Sequence, residues 1–348
     1  MAIGTLLKPA LLLTALVPWQ MGGCIDIDIE QPSQEPTNTP GTTGSADTPT
    51  PTVSTTPDDT DYICIGVEPS EAGQVVRYSQ TGCTEYQPGT LPLVISMPHG
   101  GYLIPSEFPD RTQGTTVNDG VTQELGREVA DAIEALVGER PFVVINRLDR
   151  LKLDPNRDVD EAAEGAAIAE AEWAAYHGFI ESALEDIRVS GQLGFYVDLH
   201  GQSHDPGRTQ LGFSTTADNL ELSDQALNSG GYAEWSSLLP HVEASGAPFT
   251  EVLRGQSSLG GRLEAAGFSV VPSPASPSPG GNVTYWNTGF SSYTHGPLQG
   301  ATWMSSVLFE TAYEGVRDTP RHRKAFAEAL AEALLGFQTD YGSLQRRR

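Results

Sequence analysis

Two short apolar segments of this sequence each end at a histidine followed by glycine, and this pairing constrains the fold more than any other feature. Residues 93–97 read as a strand buried on both faces, and Pro98 ends it because proline has no N–H to donate to a sheet. His99 comes next, and a second apolar run at residues 195–199 leads into His200. Ligands of open α/β sheets bind beyond the carboxyl ends of the strands, so these histidines predict a metal site or a catalytic site.

Strand-like and helix-like segments alternate along most of the chain. Apolar residues at helical spacing predict helices over about residues 121–136, 161–187 and 325–337, and Asp119 is placed to cap the first of them. Alternation of this kind predicts the α/β class, with a mostly parallel mixed sheet flanked by helices. The strand candidates are residues 93–97, 142–146, 195–199, 269–271 and 306–309.

Composition narrows the classes of function. The chain carries 45 acidic and 20 basic residues, for a net charge of −25, so no nucleic acid partner is expected. Three cysteines without a C-x-x-C pair exclude a zinc site built from cysteine. We expect residues 61–348 to form one catalytic domain, with residues 218–246 and 273–281 as loops over the edge of the sheet.

The first 60 residues resemble an export signal and a linker rather than part of a fold. Residues 1–23 have one lysine and a short apolar run, followed by Cys24, as in a bacterial lipoprotein signal. Residues 24–60 are rich in proline and threonine and lack the apolar residues needed for a core. We therefore predict export to the cell envelope, lipidation at Cys24 and contact with the membrane by the lipid anchor only; the alternative is a plain secretory signal.

Cys64 and Cys83 are the other two cysteines. Outside the cytoplasm they are expected to form a disulfide that closes a small entry hairpin. The alternative is a pair of free buried thiols.

A hydrolytic zinc site needs about three nitrogen or oxygen ligands and one open position. His99 and His200 supply two ligands, and a carboxylate should be the third. Asp119 is the first candidate and Glu107 the second, although Asp119 alone would more often be a plain helix cap. Asp198, two residues before His200, is better placed to orient that histidine than to bind metal itself.

Other polar residues near the predicted strand ends suggest a base and an anion site. Glu310 ends an apolar run and could act as the general base, or it could be a structural carboxylate paired with an arginine. Asn156 and Arg157 could hold a substrate carboxylate, because the guanidinium grips both of its oxygens. Further candidates to line the substrate site are Arg111, Arg262 and His295.

An ordered set of motifs resembles the N-formylglutamate amidohydrolase family over about residues 91–340. The motifs are Pro98-His-Gly-Gly101, Asp110-Arg111, Asp154-Pro-Asn-Arg157, Asp198-Leu-His-Gly201, Ser258-Leu-Gly260 and Glu310-Thr311. The resemblance implies a phosphorylase/hydrolase-like fold akin to zinc carboxypeptidases and aspartoacylase. By the same resemblance His99 and His200 bind metal, Asn156 and Arg157 receive the substrate carboxylate, and Glu310 is catalytic. Tyr102 stands where the carboxypeptidase pattern has a glutamate ligand.

These observations favour a metal-dependent amidohydrolase with one Zn²⁺ per chain. It would cleave an amide bond of a small anionic N-acyl amino acid or peptide, because Arg147, Arg150 and Lys152 cluster near the site in an otherwise acidic chain. Three alternatives stay open: a zinc carboxypeptidase-like peptidase, a non-catalytic lipoprotein that binds an acidic ligand, and a structural envelope protein in which the histidines form hydrogen bonds in the core.

Overall fold

The computed structural model describes residues 62–64, 75–281 and 283–344. The predicted signal, the linker and Cys24 lie outside these residues. Cys64 and Cys83 form a disulfide that joins residues 62–64 to the segment before the second strand. The backbone N–H of Ile63 also donates to the carbonyl of Thr81, 3.0 Å away.

The described residues build one eight-stranded sheet in the order β1-β2-β4-β3-β5-β8-β6-β7. All five predicted strands are present in it, and three short strands, β1, β2 and β6, join them. The strands are β1 (Arg77–Tyr78), β2 (Thr84–Gln87), β3 (Leu93–Met97), β4 (Phe142–Asn146), β5 (Gly194–Gly201), β6 (Thr209–Gly212), β7 (Val270–Val271) and β8 (Met304–Thr311).

The centre of the sheet is parallel and its flanks are antiparallel. Strands β4, β3, β5 and β8 run side by side in the same direction. Strand β2 joins β4 antiparallel on one side, and β6 joins β8 antiparallel on the other. The predicted class, a mostly parallel mixed sheet flanked by helices, is confirmed. The carboxyl ends of β3, β5 and β8 therefore lie along one edge.

Helices cover both faces of this sheet. The described part of the chain contains no helix with both the length and the apolar composition of a membrane span. The helices are α1 (Thr122–Val137), α2 (Val159–Ala163), α3 (Ala167–Ser190), α4 (Ala217–Leu220), α5 (Asp224–Ser229), α6 (Leu239–Ser245), α7 (Phe249–Arg254), α8 (Leu259–Ala265), α9 (Phe290–Thr294) and α10 (Pro320–Asp340), with 3-10 turns at Tyr232–Trp235 and Pro297–Gln299.

Successive side chains of the central strands point to opposite faces of the sheet and pack in two separate apolar cores. In β3, Leu93, Ile95 and Met97 pack in the core that also contains residues of α1 and α10. Val94 points to the other face and packs with Tyr176 of α3 and its neighbours. This period of two is what a strand covered on both faces produces.

Three local predictions were wrong. The side chain of Asp119 does not cap helix α1. The helix begins after Val121, which adopts a left-handed φ of 65°. The predicted helix over residues 161–187 is two helices, because Glu164 and Gly165 both take positive φ and break it. Residues 218–246 form short helices and turns rather than loops, and serine and threonine caps begin two of them.

Candidate metal centre and active site

Two histidines and one aspartate converge at the carboxyl edge of the sheet. Nδ1 of His99 lies 3.2 Å from Oδ2 of Asp119, and Nδ1 of His200 lies 3.1 Å from the same oxygen. Their three candidate ligand atoms all lie within 4.8 Å of one another. Both histidine side chains are buried, so little water competes for these atoms. Of the two predicted carboxylates, it is Asp119 that meets the histidines, while Glu107 is exposed and bonds to Ser106.

Backbone contacts fix Asp119 in this position. Its N–H donates to the carbonyl of His99 over 3.1 Å, and its own carbonyl accepts from the Thr122 hydroxyl over 2.9 Å. Glycine is needed at Gly100, because a Cβ there would lie 2.3 Å from the Thr122 hydroxyl oxygen. The glycine after His99 thus allows the start of α1 to pack against the strand end that carries the histidine.

A carboxylate lies behind each histidine, on the ring nitrogen that faces away from Asp119. Nε2 of His99 lies 2.6 Å from Oδ1 of Asp154, and Nε2 of His200 lies 3.3 Å from Oδ2 of Asp198. When Nε2 carries the proton, each Nδ1 presents its lone pair to the centre. Metal-binding histidines are oriented by outer carboxylates in the same way, so this donor set fits a zinc ion.

Charge compensation within the cluster is strong. Burial would raise the pKa of Asp119, but the two imidazoles outweigh it and hold that pKa well below its usual range. Burial would lower the pKa of His200, but the charge of Asp198 and the hydrogen bond to Asp119 raise it to about 10. The carboxylates thus attract positive charge to this point, and a bound metal ion would supply that charge in place of a proton.

Asp154 is itself held by arginines. Arg150 donates from Nε to Oδ2 of Asp154 over 2.9 Å, and Nη1 of Arg111 lies 3.8 Å from the same oxygen. Burial opposes ionisation, yet Arg150 and His99 keep the pKa of Asp154 well below its usual range. Asp154 therefore stays charged and keeps His99 in one orientation.

Glu310 lines the same cavity as two residues of the cluster, Asp119 and His200. Glu310 is paired with His200 in the register of β5 and β8, which places the two residues side by side at the strand ends. The cavity, of about 360 Å³, is lined by Asp119, His200 and Glu310, and by two arginines, Arg150 and Arg317. A small ligand in it would meet the cluster, a carboxylate and two cations.

Arg317 is positioned by the glycine that follows His200. A Cβ on Gly201 would lie 2.3 Å from Cζ of Arg317, so a larger residue would displace the guanidinium. The guanidinium donates to the carbonyls of Gly120, Gln202 and Thr311. Both His-Gly pairs thus have a packing reason for the glycine, one against α1 and one against Arg317.

The predicted carboxylate-binding pair, Asn156 and Arg157, does not line this cavity. The Asn156 side chain accepts from the backbone of Ser291 over 2.9 Å, inside the protein. Arg157 donates to Glu161 on the next helix over 3.1 Å and to the carbonyl of Asn156 over 2.7 Å. These contacts hold both side chains in the loop that follows Asp154, and the role of the pair as a substrate clamp stays a prediction.

The three further predicted residues are also placed elsewhere. Arg111 donates to the carbonyls of Thr115, Arg150 and Gln113, which is a structural role. Arg262 pairs with Asp340 and so joins α8 to α10. His295 is buried, with Nε2 lying 2.8 Å from Nδ1 of His177. None of these three described residues lines the cavity, because each is committed to a contact within the fold.

Sequence reasoning missed Arg317, the orienting role of Asp154, and the aromatic residues Trp286 and Tyr313 of the cavity wall. Asp154 carried a signal, since it begins the motif Asp154-Pro-Asn-Arg157. Nothing in the sequence around Arg317 indicates a functional role, because it lies in the loop after β8, outside the motifs and the periodic segments.

Comparisons with known proteins found structural likeness alone. No family model and no curated protein matches the chain. Solved structures that resemble it include a gene product of Agrobacterium tumefaciens, with a TM-score of 0.44 and 12% identity over 71% of this chain and 91% of that one. They also include an N-formylglutamate amidohydrolase from Ralstonia eutropha JMP134, with a TM-score of 0.40 and 14% identity over 70% of this chain and 94% of that one. Likeness at this level does not assign an activity to this chain.

Proposed function

We propose that this protein is a metal-dependent hydrolase that cleaves an amide bond in a small anionic N-acyl amino acid or peptide. The observation that supports this most is the convergence of His99, Asp119 and His200 at one point, with Asp119 and His200 lining a cavity that Glu310 also lines. A metal ligand set, an acid–base group and cations are the parts that hydrolysis of such a bond requires.

His99, Asp119 and His200 are the residues that would hold the metal, for which zinc is the best match to two imidazoles and a carboxylate. When bound, zinc polarises the scissile carbonyl and lowers the pKa of water. Asp119 and His200 line the cavity, so a substrate bound in it would lie beside the centre. Asp154 and Asp198 keep the two imidazoles oriented.

Glu310 is the proposed general base. It accepts a proton from the water that attacks the carbonyl carbon, and it then donates that proton to the amide nitrogen as the C–N bond breaks. Its register pairing with His200 keeps it beside the cluster, and it is buried, so bulk water does not compensate its charge.

Arg150 and Arg317 give the cavity its preference for an anion. In a chain whose net charge is −25, the cavity is lined by two buried arginines as well as by the carboxylates of Asp119 and Glu310, so cations are concentrated there. A ligand with a carboxylate is attracted by them and oriented with respect to Glu310.

Metal content of the full chain tests the centre. We expect about one zinc per chain by elemental analysis, as one three-ligand cluster implies. His200→Ala should lose the metal, whereas His322→Ala should retain it, because His322 is an exposed residue of α10 that pairs with Asp318 just before the helix. Absence of metal from the unaltered chain after zinc is supplied would rule out this mechanism.

A Glu310→Gln variant separates an enzyme from the alternative of a binding lipoprotein. Loss of the base should lower kcat for N-acyl amino acids by about 10²–10⁴-fold, with zinc content and ligand binding retained. Turnover equal to that of the unaltered chain would overturn the role of Glu310. Ligand binding without turnover in both forms would favour the binding protein.

Export and lipid anchoring remain a prediction, because Cys24 lies outside the described residues. Mass spectrometry of the protein from membranes tests it. We expect a mature chain that starts at a lipidated Cys24. A chain without lipid would contradict the lipoprotein signal and favour a plain secretory signal.

A further inference from the structure

We propose that Arg317 receives the substrate carboxylate while Tyr313 and Val117 select an apolar amino acid, so that the substrate is an N-acylated aromatic or aliphatic amino acid rather than an acidic one. This inference rests on the proposed hydrolase function and names its substrate class.

Arg317 is the cation of the cavity best suited to a ligand. It is 4% exposed, and its two Nη atoms donate to backbone carbonyls. Its Nε is buried and has no hydrogen-bond partner among the described residues. A buried N–H without a partner is costly, and a carboxylate oxygen would satisfy it and add the attraction of opposite charges.

Arg150, the second cation of the cavity, already serves two carboxylates of the protein. Its Nε donates to Asp154 over 2.9 Å, and its Nη1 lies 3.9 Å from Oδ1 of Asp119. Its charge is therefore compensated by groups that orient or form the metal centre. A ligand with a single carboxylate is matched by Arg317, and a second carboxylate would have to compete for Arg150.

Tyr313 determines which substrate side chain suits the position next to a carboxylate bound at Arg317. Cζ of Arg317 lies 5.5 Å from the centre of the Tyr313 ring, and the ring lines the cavity while 42% of the residue is exposed. In an α-amino acid the side chain is attached to the carbon that bears the carboxylate. A carboxylate on Arg317 thus brings the substrate side chain within reach of the ring, where an aromatic or aliphatic group would cover exposed apolar surface.

Val117 is a second apolar side chain at the edge of the cavity, and we call Tyr313 and Val117 together the apolar rim. It lines the cavity and is 74% exposed, the largest exposure among the described large apolar residues that are open to solvent. Its carbonyl accepts from Arg150 over 3.4 Å, so the side chain is carried at the edge of the same site. Apolar side chains this exposed beside a charged cavity suit a ligand that is anionic at one end and apolar at the other.

An acidic substrate side chain fits this arrangement poorly. Its carboxylate would lie against the apolar surfaces of Tyr313 and Val117, where it would gain no uncommitted cation and would leave those surfaces uncovered. The rim therefore disfavours N-acyl glutamate and N-acyl aspartate and favours N-acyl phenylalanine and N-acyl leucine.

The experiment compares kcat/KM of the zinc-supplied full chain for the N-acetyl derivatives of phenylalanine, leucine, glycine and glutamate. We expect phenylalanine and leucine to exceed glycine and glutamate by at least about tenfold, since each methylene covered by the rim contributes up to about fourfold. Blocking the carboxylate of N-acetyl-phenylalanine as its amide should remove most of this activity, because Arg317 then has no anion to bind.

Two variants test the rim. Tyr313→Ser should reduce the ratio of kcat/KM between phenylalanine and glycine substrates, whereas Trp235→Ser should leave that ratio unchanged. Trp235 is a matched control because it is 37% exposed, close to the value for Tyr313, and does not line the cavity. If Tyr313→Ser fails to fold, Tyr313→Leu keeps the apolar surface and should keep the preference for leucine.

The outcomes separate the two proposals. Hydrolysis with N-acetyl-glutamate preferred would overturn the inference and leave the hydrolase function standing. If none of the derivatives is hydrolysed, the hydrolase function fails, and calorimetric binding decides the inference: tighter binding of N-acetyl-phenylalanine than of N-acetyl-glutamate supports it, and the reverse order overturns it.

Discussion

Oδ1 of Asp154 lies 2.6 Å from Nε2 of His99, on the side of the imidazole ring opposite to the nitrogen that faces Asp119. Asp154 is fully buried, and Arg150 holds its other oxygen. Asp154 therefore fixes both the orientation of His99 and the nitrogen that carries the proton. The geometry of the candidate metal site thus depends on a residue that is not one of the three candidate ligands.

Replacing Asp154 with asparagine should weaken metal binding without removing a metal ligand. An amide can still hydrogen-bond to His99 but no longer supports it with negative charge, and loss of such an outer partner lowers metal affinity by about 10–100-fold. Zinc affinity measured by competition with a chelator checks this expectation. Asp110→Asn is the matched control, because Asp110 is an exposed carboxylate that pairs with Lys152. Equal zinc affinity in all three proteins would contradict the role of Asp154.

The meeting of His99 and His200 could be predicted because it depends on topology alone. Parallel strands end at the same edge of a sheet, and the sequence marks two such ends with His-Gly. Asp119, the first of the two predicted carboxylates, lies beside both histidines, although it does not cap α1 with its side chain as predicted. It is held by its backbone bond to His99, and Val121, just before α1, takes a left-handed conformation that β-branched residues rarely adopt.

The direction of a side chain in a loop could not be predicted in the same way. Arg157 follows a proline and an asparagine, and nothing in that pattern indicates that its guanidinium bonds to Glu161 instead of facing the cavity. Arg317 lies in a loop that returns to the strand ends only in three dimensions. The position of that loop depends on Gly120, Gln202 and Thr311, whose carbonyls accept from the guanidinium.

Substituting Gly201 with alanine should disturb Arg317. The added Cβ would lie 2.3 Å from Cζ of Arg317, so the guanidinium must move. We expect a loss of about 1–3 kcal/mol in the free energy of unfolding, together with a higher KM for anionic substrates. Urea unfolding and steady-state kinetics measure the two effects. Gly281→Ala is the control, because a Cβ there would meet nothing within 4 Å. Unchanged KM in Gly201→Ala would show that the position of Arg317 does not matter to the substrate.

Removing the disulfide should destabilise the domain. Cys64 and Cys83 are separated by 19 positions, and closing a loop of that length stabilises the fold by about 3 kcal/mol in the chain-entropy model. The double variant Cys64→Ser/Cys83→Ser should therefore unfold at lower urea concentration, while its zinc content stays the same because neither cysteine belongs to the metal cluster. The unaltered chain under reducing conditions should match the variant. An unchanged midpoint of unfolding would contradict this contribution.

His241 should make the stability of the fold depend on pH, at a site remote from the metal cluster. It is buried between Ser305 of β8 and Gln338 of α10, with its two ring nitrogens 2.7 Å and 2.6 Å from their side-chain oxygens. Burial lowers its pKa to about 4, although the bond to Gln338 opposes this. In the unfolded chain the pKa of histidine is about 6.5. The folded state therefore binds fewer protons than the unfolded state between these values.

The sign of the effect follows from this difference. The stabilising contribution is complete above about pH 6.5 and is lost as the pH falls towards 4, by up to about 3 kcal/mol. Urea unfolding at a series of pH values from about 7 to about 4.5 measures it. His241→Gln should show a smaller loss of stability over this range than the unaltered chain, because glutamine does not take up a proton. Ser305→Ala should be less stable at every pH yet keep the same dependence, since it leaves the titrating imidazole in place. If His241→Gln loses as much stability as the unaltered chain, the dependence comes from other groups.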